Sequence, residues 1–358
     1  MDAVGDPDGI SVASDVTRLG GAAQALFERG ERASFDLGAD WFELLVRHGL
    51  PDGCEPRFYQ SSTEDDVRCV LPVFVCPGAV SGLTTFYTSL YRPLMAEGAV
   101  AADLAGLVRR LMRDTRSGSL RLDPMDPSHP SFVMTVDAMR LAGLRPFSFF
   151  AFGNWYLPVA GRDYQTYLAG LPSRLRNTLR RREKRFRTEL HGRIEMVQDG
   201  DGLAEAVSIW QAIYGSSWKR EEPYPDFMPQ LIALCARRGW LRMAIAYLGD
   251  TPVAAQIWIV NAGHAAIYKL AHDERYARYS VGTLLTARLM QHVLDVDRVN
   301  EVDYLIGDDA YKRDWMDARR ERHGIVAFDP HSLRGLAGIA RQRLGDLRRR
   351  FIARQRKD

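Results

Sequence analysis

"LRMAIAYLGDTPVAAQIWIVNAGHAAIYKLA", residues 241–271, decides the fold. Three apolar runs, 241–248, 251–260 and 264–271, are separated by "GD" and "NAG". Links of two and three residues are hairpin lengths, so three antiparallel strands follow one another here. Downstream, the apolar period predicts a long helix over 280–296, then a strand "EVDYLI", a short helix over 310–316 and a last strand "GIVAF". Upstream stand a basic helix, a strand at 193–198 and helices at 202–216 and 226–238. This half therefore reads β, α, α, β, β, β, α, β, α, β.

The first half carries the same theme with weaker signals. Trp41, Leu44, Leu45 and Leu50 share a helical face; "VRCVLPVFV" (67–75) and "LTTFYTSLYRPL" (83–94) read as strands, and 99–114 as a helix. "SLRLDPM", the helix "FVMTVDAMRLAG" and the strand-like "FSFFAFGNWYLPV" complete a mixed α/β unit. Boundaries are expected at a flexible segment 1–32, a first domain 33–160, a second domain 161–330 and a basic amphipathic helix over 331–358.

A chain of 358 residues that is 46% hydrophobic can bury two cores. Cys54, Cys69, Cys76 and Cys235 show no metal-ligand spacing, and a chain of this size needs no disulfide, so a reducing compartment, no disulfide and no metal are expected. The N-terminus lacks a positive region followed by an apolar one, and no long apolar window occurs, which predicts a cytoplasmic protein. Charge is unevenly spread. Residues 171–187 carry a balance of +7 and 334–357 one of +8 against a total of +3, so two basic helices sit on an acidic remainder. The eight histidines show no ligand spacing, and no P-loop, dinucleotide fingerprint or nucleophile elbow appears, which removes kinase, dehydrogenase and serine-hydrolase readings.

"LTTFYTSLYRPL", "RLRNTLRRREKRF", "TPVAAQIWIV", "YKLAHDERYARYSVGTLL" and "DYLIGDDAYKRDW" together resemble the GNAT acyltransferases, and within them the tandem branch of FemAB-like and CelD-like proteins, over residues 35–330. The resemblance implies an α/β (α+β) fold of two tandem GNAT-like domains, each a mostly antiparallel sheet flanked by helices. It implies direct attack of an amine on an acyl thioester, with acyl-CoA or an acyl carrier protein as donor. Two alternatives keep the fold: an aminoacyl-tRNA-dependent transferase of FemAB type, and a non-catalytic GNAT that binds a partner in envelope or polysaccharide biosynthesis.

In "RYSVGTLL" the resemblance places donor phosphates at Arg278, Ser280, Val281, Gly282 and Thr283, with Ser280 as N-cap and Gly282 allowing close backbone approach. The spacing, Arg-x-x-x-Gly-Thr, departs from the family's Arg/Gln-x-x-Gly-x-Gly/Ala. In "DYLIGDDAYKRDW", Lys312 matches the FemAB lysine that neutralises charge on the reacting carbonyl; Tyr311 would protonate the leaving group, and Asp303 or Asp308 would bind the amine. On that reading Lys312→Ala abolishes turnover and spares stability. Trp218, Gln256 and Tyr268 are the candidate substrate contacts, each also readable as packing. The helix over 173–190 repeats Leu171, Leu175, Leu179, Phe186 and Leu190 on one side and arginines elsewhere, a surface for tRNA or carrier-protein phosphates or a solvated face. Leu333, Leu336, Ala340, Leu344, Leu347 and Phe351 form an apolar stripe in the helix over 333–357, which suits an anionic membrane surface or its own domain.

Overall fold

A computed structural model describes residues 9–63 and 66–355, with side chains through residue 345. The chain divides into two compact units. The first comprises residues 1–152 and 321–358, the second Gly153–Arg320.

The first unit contains β1 (Ile10–Ala13), α1 (Gly21–Ala33), α2 (Ala39–His48), β2 (Glu55–Ser62), β3 (Val67–Cys76), β4 (Ala79–Gly82), the short β5 (Leu94–Met95), α3 (Ala101–Thr115), β6 (Ser119–Met125) and α4 (Pro130–Leu141). The sheet runs β1-β2-β3-β4-β6, with β5 against β3, and only β4 and β6 pair in parallel. Leu104, Leu107, Val108 and Leu111 of α3 recur at helical spacing and are fully buried on this sheet's core. Residues 10–13 pair with β2, so from residue 9 the N-terminal segment expected to be flexible is a sheet strand followed by a helix; residues 1–8 lie outside the described residues.

The next strand, β7 (Arg145–Pro158), begins in the first unit, and its residues from Gly153 belong to the second. That unit continues with α5 (Tyr164–Gly170), α6 (Ser173–Thr188), β8 (Gly192–Val197), α7 (Leu203–Gly215), α8 (Phe227–Arg237), β9 (Leu241–Leu248), β10 (Thr251–Asn261), β11 (His264–His272), α9 (Val281–Asp295) and β12 (Glu301–Asp303). Its sheet runs β7-β12-β11-β10-β9-β8, with β11 and β12 parallel and the other neighbouring strands antiparallel. The meander read from 241–271 is present in register: Gln256 pairs Ala244 on one side and Leu270 on the other. β10 is buried from Val253 to Ile259 because α9 covers one face and α7 the other. Trp258 is wholly enclosed under α9.

β13 (Ala318–Phe328) starts in the second unit and, from Glu321, belongs to the first, where it pairs β6 as Val326↔Arg121 and Ala327↔Leu120. Both units thus repeat one motif: antiparallel strands, a helix, then a strand parallel to the last of them. The division falls inside β7 and β13, whereas the sequence alone predicts boundaries near residues 160 and 330.

α10 (Leu333–Gln355) presents Leu333, Leu336 and Leu344 outward and buries Ile339, so the apolar stripe read from sequence is not the packed face; the side chains of Leu347 and Phe351 lie outside the described residues. Cys54 and Cys76 form a disulfide, contrary to expectation, because the register Glu55↔Val75 sets them opposite each other at the open end of the β2–β3 hairpin. Cys69 and Cys235 are free and buried.

Trp258→Ala removes the largest side chain of the second core, so the urea-unfolding free energy of that unit falls by about 3–5 kcal/mol. Tryptophan fluorescence with the remaining indoles as reporters measures it.

Candidate functional site

β11 and β12 pair over three residues only, His264↔Glu301, Ala265↔Val302 and Ala266↔Asp303. Beyond Ala266, β11 runs on through Ile267–His272, while the other chain turns away. A strand edge facing a widening gap leaves N–H and C=O groups pointing outward, which is a natural cradle for an extended ligand.

The turning-away is built from buried polar contacts. Leu305 adopts a left-handed backbone (φ 54°), costly for a branched residue. It is held there because Asn154 donates through Nδ2 to Leu305 O at 2.8 Å, while the Leu305 N–H donates to the Asp303 carboxylate. Asn154 is 1% exposed and also donates to Asp303; its own carbonyl oxygen accepts from Arg320 Nε at 2.7 Å. Arg320 completes the set with Glu301 and Asp303. Gly307, with φ 104°, then takes a conformation that side chains rarely adopt.

Lys312 closes this segment from the other end. Its Nζ donates to Ile306 O at 2.6 Å, Gly307 O at 3.2 Å and Tyr304 O at 3.4 Å, with Asp309 at 3.5 Å. The side chain is buried, and burial lowers its pKa, opposed by Asp309. All three donors are directed at main-chain carbonyls, so the expected solvated or carbonyl-polarising lysine is instead the residue that shapes the segment. Asp308 is likewise occupied: it accepts from Trp155 Nε1 at 2.7 Å and pairs with Arg319, whose hydrogen bonds hold its carboxyl below the usual range. Asp303 accepts from Asn154, Arg320 and Leu305, so both aspartates already hold protein partners. Tyr311 remains half-exposed, edge-on to the buried Tyr304 ring at 5.8 Å.

At the start of α9, Ser280 sits at the N-cap position in a left-handed conformation, but its side chain makes no capping bond; its carbonyl oxygen accepts from Thr283 N. Val281 is core. A Cβ at Gly282 would lie 3.3 Å from Leu270, so this glycine permits close helix–strand packing. Arg278 donates to the Tyr279 hydroxyl, and its carbonyl accepts from Arg182 of α6. Gln256 is fully buried with its Oε1 accepting from Thr286 at 3.2 Å and its Nε2 without a partner, which removes it from the substrate contacts. Tyr268 is the extra residue of a bulge between the pairs Ile257↔Lys269 and Trp258↔Ile267, and is half-buried.

The loop between α7 and α8 supplies residues that sequence reasoning passed over. Glu222 pairs with Lys269 of β11 at 2.8 Å, both side chains nearly buried. Lys269 and Lys219 stand 5.9 and 5.7 Å from the Tyr214 ring. Trp218 is 52% exposed and stacks on His272 at 4.4 Å. Burial lowers the pKa of His272 and of Lys269. "YGSSWKREEPYP" signalled the loop, but only the tertiary path brings Glu222 to Lys269.

A family model described as an acetyltransferase (GNAT) domain matches residues 173–313. The matched residues lie within the second unit and are similar to that family. Solved structures of similar fold include FemX (TM-score 0.57, 9% identity, 80% of this chain and 90% of that one) and the C-terminal domain of a putative lysylphosphatidylglycerol synthetase from Agrobacterium fabrum (0.55, 15%, 88% and 96%). A tandem GNAT protein of the clavulanic acid pathway is also similar (0.52, 13%, 90% and 100%). These likenesses give the chain a tandem-GNAT fold, with the second unit containing the acyltransferase-type domain. No curated protein matches the chain in sequence.

Lys312→Met leaves buried carbonyls without a donor, and we expect it to cost the second unit at least ~2 kcal/mol. Differential scanning calorimetry showing an unchanged midpoint refutes the structural role.

Proposed function

We propose that the GNAT domain is an N-acyltransferase that passes an acyl group from a thioester donor to an amine. The parting of β11 from β12 after three pairs carries this reading. The acyl-thioester arm lies along the Ile267–His272 edge, its amide groups bonding the main chain, and donor phosphates meet the α9 opening at Val281, Gly282 and Thr283 with Arg278 beside it. The bulge at Tyr268 turns its peptide toward the reacting carbonyl. A neutral amine attacks that carbonyl, a C–N bond forms and the C–S bond breaks. Glu222, oriented by Lys269, takes the proton the amine releases, and the Tyr311 phenol supplies one to the departing thiolate. Trp218 walls the acceptor side. Asp303 and Lys312 act as positioning residues, holding the segment that opens the edge.

A second donor class is favoured by one observation. Arg174, Arg176, Arg180, Arg181 and Arg187 of α6 have no carboxylate partner among the described residues. Arg176 and Arg180 line, with Leu168, Leu179, Leu284 and Arg288, a groove of about 570 Å³. Such an array suits the phosphates of an aminoacyl-tRNA or the acidic surface of an acyl carrier protein. The outward Leu333, Leu336 and Leu344 of the basic α10 suit peripheral contact with an anionic membrane.

Native mass spectrometry against CoA thioesters, loaded carrier proteins and aminoacyl-tRNAs separates these donors; no adduct with any class overturns the transferase reading. With the donor found, Tyr311→Phe is expected to lower kcat by about a hundredfold at an unchanged thermal midpoint. An unchanged kcat removes Tyr311 from the proton path.

A further inference from the structure

Lys219 lies in the loop that joins α7 to α8, half-buried at the acceptor side of the proposed transfer site. Its ammonium is 5.7 Å from each of the Tyr214 and Trp218 rings. Aromatic faces attract a cation but do not accept its three hydrogen bonds. Glu222, the nearby carboxylate, is already engaged by Lys269 at 2.8 Å. Among the described residues, the Lys219 ammonium has neither a carboxylate within salt-bridge reach nor a hydrogen-bond acceptor. Lys312 adds a further positive charge on this side, but its own donors are taken by carbonyls.

Two features argue that this is a recognition group rather than a solvated surface lysine. The residue is half-buried, and the carboxylate that acts on its ammonium, Glu222, is already paired with Lys269, so part of its hydration is lost without a counter-charge of its own, an arrangement that a bound anion relieves. Burial, then the charges of Lys269 and Lys312, lower its pKa to about 8. The charges acting on it are Lys269 and Lys312 against Glu222, with Asp309 offsetting Lys312 at 3.5 Å, so the cluster with Lys219 stays net cationic and favours an anion.

We propose that Lys219 receives an anionic group, a carboxylate or a phosphate, carried by the acceptor amine itself. The acceptor is then a zwitterionic molecule whose amine meets Glu222 and whose anion meets Lys219. The assignment of the anion to the acceptor rests on the transferase reading; the anion site does not.

Competitive trace acetylation of the wild-type full chain tests the site without turnover. Acetic anhydride modifies only the uncharged amine, and peptide mass spectrometry reads each lysine separately. Alone, Lys219 should react with a midpoint near pH 8. At pH 8, saturating succinate or inorganic phosphate should slow Lys219 labelling by about fivefold or more relative to sodium chloride of equal ionic strength. An unstructured lysine-containing peptide added to the same solution serves as the control that neither anion changes. Protection by succinate alone assigns a carboxylate, by phosphate alone a phosphoryl group, and each supports the proposal. Equal rates in succinate, phosphate and chloride overturn it, whatever donor the protein binds; protection in the absence of any bound donor keeps the anion site and leaves the transferase reading to fail alone.

Discussion

The lysine ammonium of residue 312, fixed on the carbonyls of Tyr304, Ile306 and Gly307, is the contact on which the site's geometry depends. Those carbonyls belong to a segment that has parted from β11 while still bridging β7 at Tyr304 and Gly307. Without β11 beside them they need another donor, and a cation with three N–H groups serves all of them at once. At the upstream end Asn154, Arg320 and Asp303 do the corresponding work for Leu305 and its neighbours. The strands part because a buried polar lattice makes the parted state satisfied. Breaking one member exposes the others to desolvation cost, so the lattice behaves as a unit.

What the parting provides is main chain. A cradle built from the edge of β11 and the opening of α9 asks little of particular side chains, apart from a close-packed Gly282 and a bulge at Tyr268. That accounts for a fold shared with FemX and with the tandem GNAT protein at 9% and 13% identity. On the proposed reading, side chains matter in the loop with Trp218, Lys219 and Glu222, where a surface connection can set the choice of acceptor.

The meander, α9 and the strand before Gly307 were legible because hairpin length and apolar period are local properties. The division inside β7 and β13 was not, since pairing Val326 with Arg121 spans most of the chain and nothing in either strand names its partner. Asp303, Asp308, Tyr311 and Lys312 crowd the strand exit that the sequence pointed to, but alternation says which way a side chain points and not which donors it finds. Asn154, the residue joining Asp303 to Leu305, lies in an aromatic strand with no signal of its own. The Cys54–Cys76 bond followed from hairpin register, whereas chain size had argued that none was needed. Gln256, polar in an apolar strand, looked like a contact and is an interior residue answering Thr286.

The electrostatics of the acceptor side constrain what can be acylated. Lys219, Lys269 and Lys312 face Glu222 and, at Lys312, Asp309, which leaves the wall of the proposed pocket net cationic, and a cationic wall repels an amine that arrives as an ammonium ion. That repulsion is useful: it favours the neutral, nucleophilic amine that the reaction needs, in the same way that one cation depresses the pKa of the next. It also weakens binding of a simple amine. An acceptor with its own negative charge escapes the conflict, since the charge it brings balances Lys219 while its amine stays uncharged at Glu222. On the proposed reading, selectivity for an anionic amine follows from the net positive charge of this wall.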